Sequence, residues 1–192
     1  MSHELLKDAK FFAFLLMADL AAAEDVRCGG CPVCGGRLHV ANFPRKPRGG
    51  PDGLGAEHDL RLSFCCGACR RRATPRSLRF LGRRVYLGAF VVLVSTMLQG
   101  PTPARVARLR EEFGVAERTL RRWMRWWAEV FPTSEVWRSG TAAFMQPVVA
   151  RDLPVALLGR FSGDAAERLR HVLSFLSPLA ATRACSAMVK LG

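Results

Sequence analysis

The chain has 192 residues, and 49% of them are hydrophobic, which allows a buried core and excludes a chain that is disordered throughout. Lys and Arg number 29 against 16 Asp and Glu, and the net charge of +13 favours a polyanionic partner, nucleic acid first. The longest apolar run, residues 85–98, is too short to cross a bilayer. Seven cysteines, mostly in two tight clusters, are typical of metal ligands in a reducing compartment. We therefore expect a cytoplasmic protein without a membrane partner.

The predicted fold class is α+β, mainly α. It comprises a small three-stranded zinc ribbon, then a trihelical helix-turn-helix and a short helical C-terminal region. This order divides the chain into four segments, namely an N-terminal helix at 1–24, the ribbon with a basic bridge at 25–84, the helix-turn-helix at 85–132 and the C-terminal region at 133–192.

The first segment predicts a helix over residues 2–23, because it holds no Pro or Gly and is rich in Ala and straight-chain residues. Six apolar side chains are expected to line one face of it: Leu5, Leu6, Phe12, Leu15, Leu16 and Leu20. Asp19 interrupts the apolar run and acidic residues precede it, which argues against a signal peptide. The helix is expected to pack on the rest of the protein or on a second subunit.

Three short alternating runs after residue 25 predict half-buried strands: 37–40, 59–64 and 77–81. The segment 44–53, rich in Pro, Gly and basic residues, separates the first two runs and predicts a loop. Two interpretations of this loop stay open. It is either a mobile connection or a basic tip that touches phosphate.

Two C-x2-C pairs in this region predict a metal site. Cys31 and Cys34 form the first pair, and Cys66 and Cys69 the second. Such spacing makes a tight turn that presents two thiolates to one ion, and a glycine after the second cysteine relieves crowding. Four thiolates complete the tetrahedral site that structural Zn²⁺ prefers, with no open position for substrate.

Other cysteines and histidines compete for this assignment. Cys28 also forms a C-x2-C pair with Cys31, and Cys65 adjoins Cys66, so either one is an alternative ligand. Cys185 is isolated and is interpreted as a small apolar residue. Because four thiolates close the site, His39 and His58 are interpreted as ordinary loop or strand residues.

The segment 85–132 predicts three helices. Residues 85–98 are apolar almost all round, as in a buried helix, and Thr102 and Pro103 are good first residues for a second helix that runs to Phe113. Gly114 is expected in the turn, and a third helix follows over 116–130. Two further helices are predicted near 153–161 and 164–175.

The third predicted helix carries apolar residues on one side and arginines on the other. Ala116, Leu120, Trp123 and Trp127 share the apolar side. The residues expected to contact phosphates or guanine edges in the major groove are Arg118, Thr119, Arg121, Arg122 and Arg125. Glu117 is expected to accept from a cytosine amine or to favour the helix dipole.

Two positions depart from the usual helix-turn-helix pattern. Arg110 stands where a small residue is usual, and Ala116 stands where a capping Ser is expected. By charge distribution, the stretch 60–110 is expected to be the electrostatic footprint for a polyanion, because it contains eleven arginines and no acidic residue.

The zinc ribbon, the arginine-rich bridge with Arg70-Arg71-Arg72 and Arg83-Arg84, and the run Leu120-Arg121-Arg122-Trp123 follow one another in the chain. This series, over residues 31–131, resembles the N-terminal DNA-binding part of bacterial insertion-sequence transposases and of small proteins encoded beside them. The resemblance implies double-stranded DNA as partner, together with a separate transposase or a second copy of this chain. In the complete transposases a catalytic domain with three acidic residues follows, and nothing after residue 131 matches it.

Three functions compete at this point. The first is a non-enzymatic DNA-binding protein of a mobile element, or a transcriptional regulator. A nuclease or recombinase needs clustered carboxylates, which the basic stretch lacks. A protein–protein adaptor would use the ribbon for a partner and the helices as a structural bundle.

Overall fold

The protein is described here from a computed structural model, which covers residues 4–100, 102–142, 144 and 146–181. It has a mainly helical α+β fold, with an N-terminal helix, small antiparallel sheets and then several helices. Cys185 lies outside the described residues.

The N-terminal helix begins and ends later in the chain than the predicted range 2–23. A 3₁₀ turn at Glu4–Lys7 precedes α1, which spans Ala9–Gly29. Asp8 caps α1 by accepting from the backbone N–H groups of Lys10 and Phe11. The predicted apolar face is right at Phe12 and Leu15, which are fully buried, and wrong at Leu20, which is 42% exposed.

Asp19 takes part in the buried face of α1. Its carboxylate accepts from Arg79 Nε at 2.8 Å, from the Leu78 backbone N–H and from the Ser77 hydroxyl. Arg79 also donates to the backbone carbonyls of residues 57, 58 and 60, and both charged side chains are at most 1% exposed. This ion pair therefore ties α1 to the segment that follows the cysteine knuckles.

Five short strands form two antiparallel sheets: β1 (Leu38–Val40), β2 (Phe43–Pro44), β3 (Leu60–Arg61), β4 (Phe64–Cys66) and β5 (Arg72–Ala73). The first sheet has the order β1-β4-β5, with Leu38 opposite Cys66 and Phe64 opposite Ala73. The second pairs β2 with β3. The expected three-stranded sheet is present, but its third strand is β5.

Two strand predictions were wrong. The run 59–64 is divided between two sheets, because the Arg61 side chain turns inward and donates to the carbonyls of Leu62, Pro75 and Ala180. The run 77–81 is not a strand, because its polar groups bind Asp19 instead of a neighbouring strand. Alternating patterns predict strands only where the polar residues face water.

Seven α-helices are described: α1, α2 (Gly88–Met97), α3 (Pro103–Phe113), α4 (Glu117–Arg125), α5 (Glu135–Thr141), α6 (Val155–Leu158) and α7 (Ala165–Leu176). The chain continues from α4 through a π-helical turn, Trp126–Val130, and a 3₁₀ turn, Phe131–Thr133. Helix α2 is buried over most of its length, as predicted. Helix α5 was not predicted, and α6 is shorter than the predicted helix near 153–161.

The described residues form one large hydrophobic core and one small one. The large core surrounds α2 and includes side chains from α1, α3, α4 and α7. The small core lies under the sheet of β1, β4 and β5, and its buried members are Ala23, Cys31, Leu38, Leu62, Phe64, Cys66 and Ala73. The four-segment division of the chain stays a prediction. In the described part of the chain, no helix is both long and apolar enough to span a membrane.

Candidate metal centre and basic helix-turn-helix surface

The first cysteine knuckle follows the end of α1. The Gly35 N–H donates to the Cys31 carbonyl, and the Cys31 N–H donates to the Gly36 carbonyl, which closes a tight turn around both thiols. Gly35 has a φ of +70°, and a Cβ on Gly36 would lie 3.1 Å from the Cys66 sulfur. Gly35 therefore permits the turn through its positive φ, and Gly36 permits the approach of the second knuckle. The crowding predicted at the glycine directly after Cys34 is absent, because a Cβ on Gly35 would meet nothing within 4 Å.

The second knuckle repeats this geometry at the end of β4. The Arg70 N–H donates to the Cys66 carbonyl, and the Cys66 N–H donates to the Arg71 carbonyl. Arg70 occupies the position equivalent to Gly35 and has a φ of +58°. Backbone N–H groups of Cys69 and Ala68 donate to the Cys66 sulfur and lower the pKa of that thiol to about 6. The knuckle thus favours a thiolate at Cys66, whereas burial and hydrogen bonds from the neighbouring thiols raise the pKa of Cys69 to about 12.

The four predicted thiols come together in one group, formed by Cys31, Cys34, Cys66 and Cys69. All four sulfur atoms lie within 4.8 Å of one another. The sulfur atoms of Cys31 and Cys69 are 3.5 Å apart, as are those of Cys34 and Cys66. A tetrahedral ion with Zn–S bonds of about 2.3 Å needs sulfur atoms about 3.8 Å apart. The group can therefore hold a metal ion, and its chemistry suits structural zinc.

The alternative ligands lie apart from this group. Cys28 is on the last turn of α1, where its thiol contacts the Glu24 carboxylate at 3.3 Å. Cys65 alternates with Cys66 along β4, and its sulfur lies near the Cys66 and Arg70 carbonyls. Neither His39 nor His58 belongs to the thiol group. Of the two competing pairs, Cys31/Cys34 and Cys28/Cys31, the favoured pair Cys31/Cys34 is the one that belongs to the thiol group.

The helices predicted on either side of Gly114 are present as α3 and α4, and α3 has its predicted caps. The Thr102 hydroxyl accepts from the Arg105 N–H at the start of α3, and Gly114 ends α3 with a φ of +61°. The apolar residues expected around this glycine pack into the large core, with Leu109, Val115 and Leu120 buried. Trp123 is also buried, at 1% exposed. Ala116 is exposed and does not share the apolar side, since it stands before the first turn of α4.

The structure divides the five predicted DNA-contacting residues into three groups. Arg118, Thr119 and Arg122 line a cavity beside the N-terminal end of α4. Arg121 forms an ion pair with Glu117 one turn earlier, with its Nε 2.9 Å from the carboxylate. This ion pair accounts for an acidic residue at position 117 without a contact to a DNA base. Arg125 is exposed at the end of α4. All four arginines are accessible from solvent.

The cavity beside α4 also brings in two arginines that were not predicted as site residues. Arg48 comes from the loop 44–53, and Arg84 comes from the segment before α2. The Arg48 N–H donates to the Val85 carbonyl and its carbonyl accepts from the Leu87 N–H, so the loop is anchored at this point. The Arg84 guanidinium lies 4.0 Å from the centre of the Trp126 ring. The basic composition of the loop was the one sequence signal for Arg48.

The acid-free stretch 60–110 is a less uniform surface than its composition predicts. Arg61 and Arg79 are buried, at 2% and 1% exposed, and their guanidinium groups donate to backbone carbonyls in the interior. The acidic partner of Arg79 is Asp19, which lies outside the stretch. Most of the other arginines in it are exposed.

Comparisons of the chain with protein-family models, with curated proteins and with solved structures find no match. The finding common to sequence and structure is a four-cysteine cluster suited to a zinc-binding module, followed by several helices, of which α4 carries exposed arginines.

Proposed function

We propose that this protein binds double-stranded DNA through α3, the turn at Gly114 and α4, beside a structural zinc site at the four cysteines. The observation that carries the proposal is the two-sided character of α4. Leu120 and Trp123 are buried in the core, whereas the arginines of the same helix are exposed to solvent. A helix of this kind, presented after a tight turn, suits the major groove.

The arginines supply two kinds of contact. A guanidinium group donates to phosphate oxygens, or in bidentate fashion to the O6 and N7 atoms of guanine. Arg121 and Arg125 are both exposed and therefore accessible to DNA. Arg121 forms an ion pair with Glu117, whereas Arg125 has no ion pair among the described residues. The net charge of +13 attracts the duplex at long range.

The metal site supports this arrangement without taking part in contact. Cys31, Cys34, Cys66 and Cys69 would hold the zinc ion, which supplies a cross-link between the two knuckles. Because the small core has only seven buried residues, this cross-link contributes much of the stability of the sheet region.

We infer a role in a mobile genetic element, or in regulating one, from the resemblance of the segment order to insertion-sequence transposases. A transcriptional regulator with the same DNA-binding surface is the second candidate. In either role the protein acts by binding, and a separate transposase or a second copy of the chain is the proposed protein partner.

A charge-matched pair of variants tests DNA binding. Arg121→Ala with Arg125→Ala removes two charges from α4, and Arg138→Ala with Arg151→Ala removes two exposed charges from elsewhere. Binding of a fluorescent random-sequence duplex is titrated at several KCl concentrations. We expect wild type and control to bind with similar steep salt dependence. The α4 variant should bind at least about tenfold more weakly, and the slope of log K against log[KCl] should fall in magnitude by about two.

Two outcomes contradict the proposal. Absence of salt-sensitive binding by the wild type removes DNA as the partner and leaves the adaptor function. Equal binding by the α4 variant and the control variant shows that another surface contacts the duplex.

A further inference from the structure

A cavity of about 340 Å³ lies between the loop that carries Arg48 and the N-terminal end of α4. We call it the arginine groove, because four of its ten lining residues are arginines from three parts of the chain: Arg48, Arg84, Arg118 and Arg122. No Asp or Glu is among the lining residues. Such a concentration of one charge in a concave site favours an anionic ligand.

The arginines are held by the surrounding structure. The Arg48 backbone is hydrogen-bonded on both sides to residues 85–87, and a Cβ on the neighbouring Gly49 would lie 2.2 Å from the Phe90 ring. The loop therefore packs tightly against α2. The Arg84 guanidinium lies over the Trp126 ring, and this contact restrains its position.

The charges in the groove have no counterion in the described part of the chain. None of the four guanidinium groups forms an ion pair there. Burial, and then the charge of Arg122, lower the pKa of Arg84 to about 10. Like charges are thus crowded together, and an anion in the groove would relieve this repulsion.

The start of α4 adds further donors. Ala116 is the N-cap residue and offers no side-chain acceptor to the first backbone N–H groups of the helix. Gly114, Ala116 and Arg118 line the groove, so this helix end faces the same cavity as the arginines. The Thr119 N–H donates to the Ala116 carbonyl, and the absence of a capping Ser leaves the N–H groups of residues 117 and 118 for an external anion.

We propose that the arginine groove binds one phosphate of the DNA backbone, and that the Arg48 loop is thereby a second DNA contact beside α4. The proposal rests on the DNA-binding function proposed above. A phosphate presents oxygens in several directions, which suits guanidinium groups converging from three parts of the chain. A duplex is the source because Arg48, Arg118 and Arg122 are exposed, and the last two belong to α4, whose other arginines are exposed as well.

Two substitutions in one loop test the proposal. Arg48→Gln removes a groove charge, whereas Lys46→Gln removes a charge two residues away that is also exposed but does not line the groove. Each full-length variant is titrated with a fluorescent random-sequence duplex across a KCl series. We expect Arg48→Gln to bind the duplex about tenfold more weakly, with a slope of log K against log[KCl] that is smaller in magnitude by about one. Lys46→Gln should change the affinity less than about twofold.

Thermal melting with and without inorganic phosphate separates the two sources of the anion. Three outcomes overturn the proposal in distinguishable ways. If wild type binds DNA and both loop variants bind it with the affinity of wild type, the groove is not a DNA contact and the proposed function stands. If wild type does not bind DNA, the function and the groove contact both fail. If phosphate raises the melting temperature of wild type and not of Arg48→Gln, while duplex binding of the two is the same, the groove takes a free anion.

Discussion

Replacing Asp19 by Asn tests whether the buried ion pair holds α1 to the rest of the protein. The substitution keeps the shape of the side chain and leaves an oxygen to accept from the Ser77 hydroxyl or the Leu78 N–H. It removes the charge opposite Arg79, which is 1% exposed and has no other acidic partner among the described residues. Breaking a buried pair in this way costs about 3–5 kcal/mol of unfolding free energy.

The effect is large because domains are stable by only about 5–15 kcal/mol. Urea unfolding at pH 7 with a fixed excess of zinc, followed by tryptophan fluorescence, measures it, since Trp123 and Trp127 are each 1% exposed. Asp25→Asn is the matched control, because Asp25 is exposed on the same helix, and it should stay within about 0.5 kcal/mol of wild type. A cost below about 1 kcal/mol for Asp19→Asn would refute the role assigned to this pair.

Three further predictions follow from the metal site and the helices. Purified protein should contain one zinc ion per chain by elemental analysis. The Cys34→Ser variant should lose this zinc, and the Cys28→Ser variant should retain it. Zinc retained at full stoichiometry in Cys34→Ser would contradict the ligand set. Trp123→Ala should cost about 3–5 kcal/mol in urea unfolding, because the side chain fills the core between α2 and α4, and a cost near zero would place it outside the core. Gly114→Ala should cost about 1 kcal/mol, because the residue has a φ of +61°, and a variant as stable as wild type would argue against the left-handed turn.

The metal ligands were predictable from sequence because their spacing has a direct geometric meaning. Two residues between cysteines allow both thiols to face one ion, and Gly36 permits the second knuckle to approach. Caps were predictable for the same reason, as Thr102 and Gly114 act within four residues of their own position.

The errors arose where a distant part of the chain decides the local structure. The pattern over 77–81 predicts a strand, yet its backbone and side chains bind Asp19, about 60 residues earlier. Arg61 is buried because carbonyls of residues 75 and 180 accept from it. Periodicity assumes that charged residues face water, and it gives no indication that an arginine has a buried partner elsewhere.

The arginine groove has the same origin. Arg48, Arg84 and Arg118 are far apart in sequence, and the hydrogen bonds between the Arg48 loop and residues 85–87 bring them together. Local signals indicated a basic loop and a basic helix, and only the fold places them beside one another.

Backbone hydrogen exchange of the full-length protein, with and without a saturating random-sequence duplex, tests the central claim most directly. The account predicts slower exchange on DNA addition in residues 114–125 and in the loop 44–50, with α5 unchanged as an internal reference. Protection confined to the cysteine knuckles or to the C-terminal helices, or no change anywhere, would contradict DNA binding through α4.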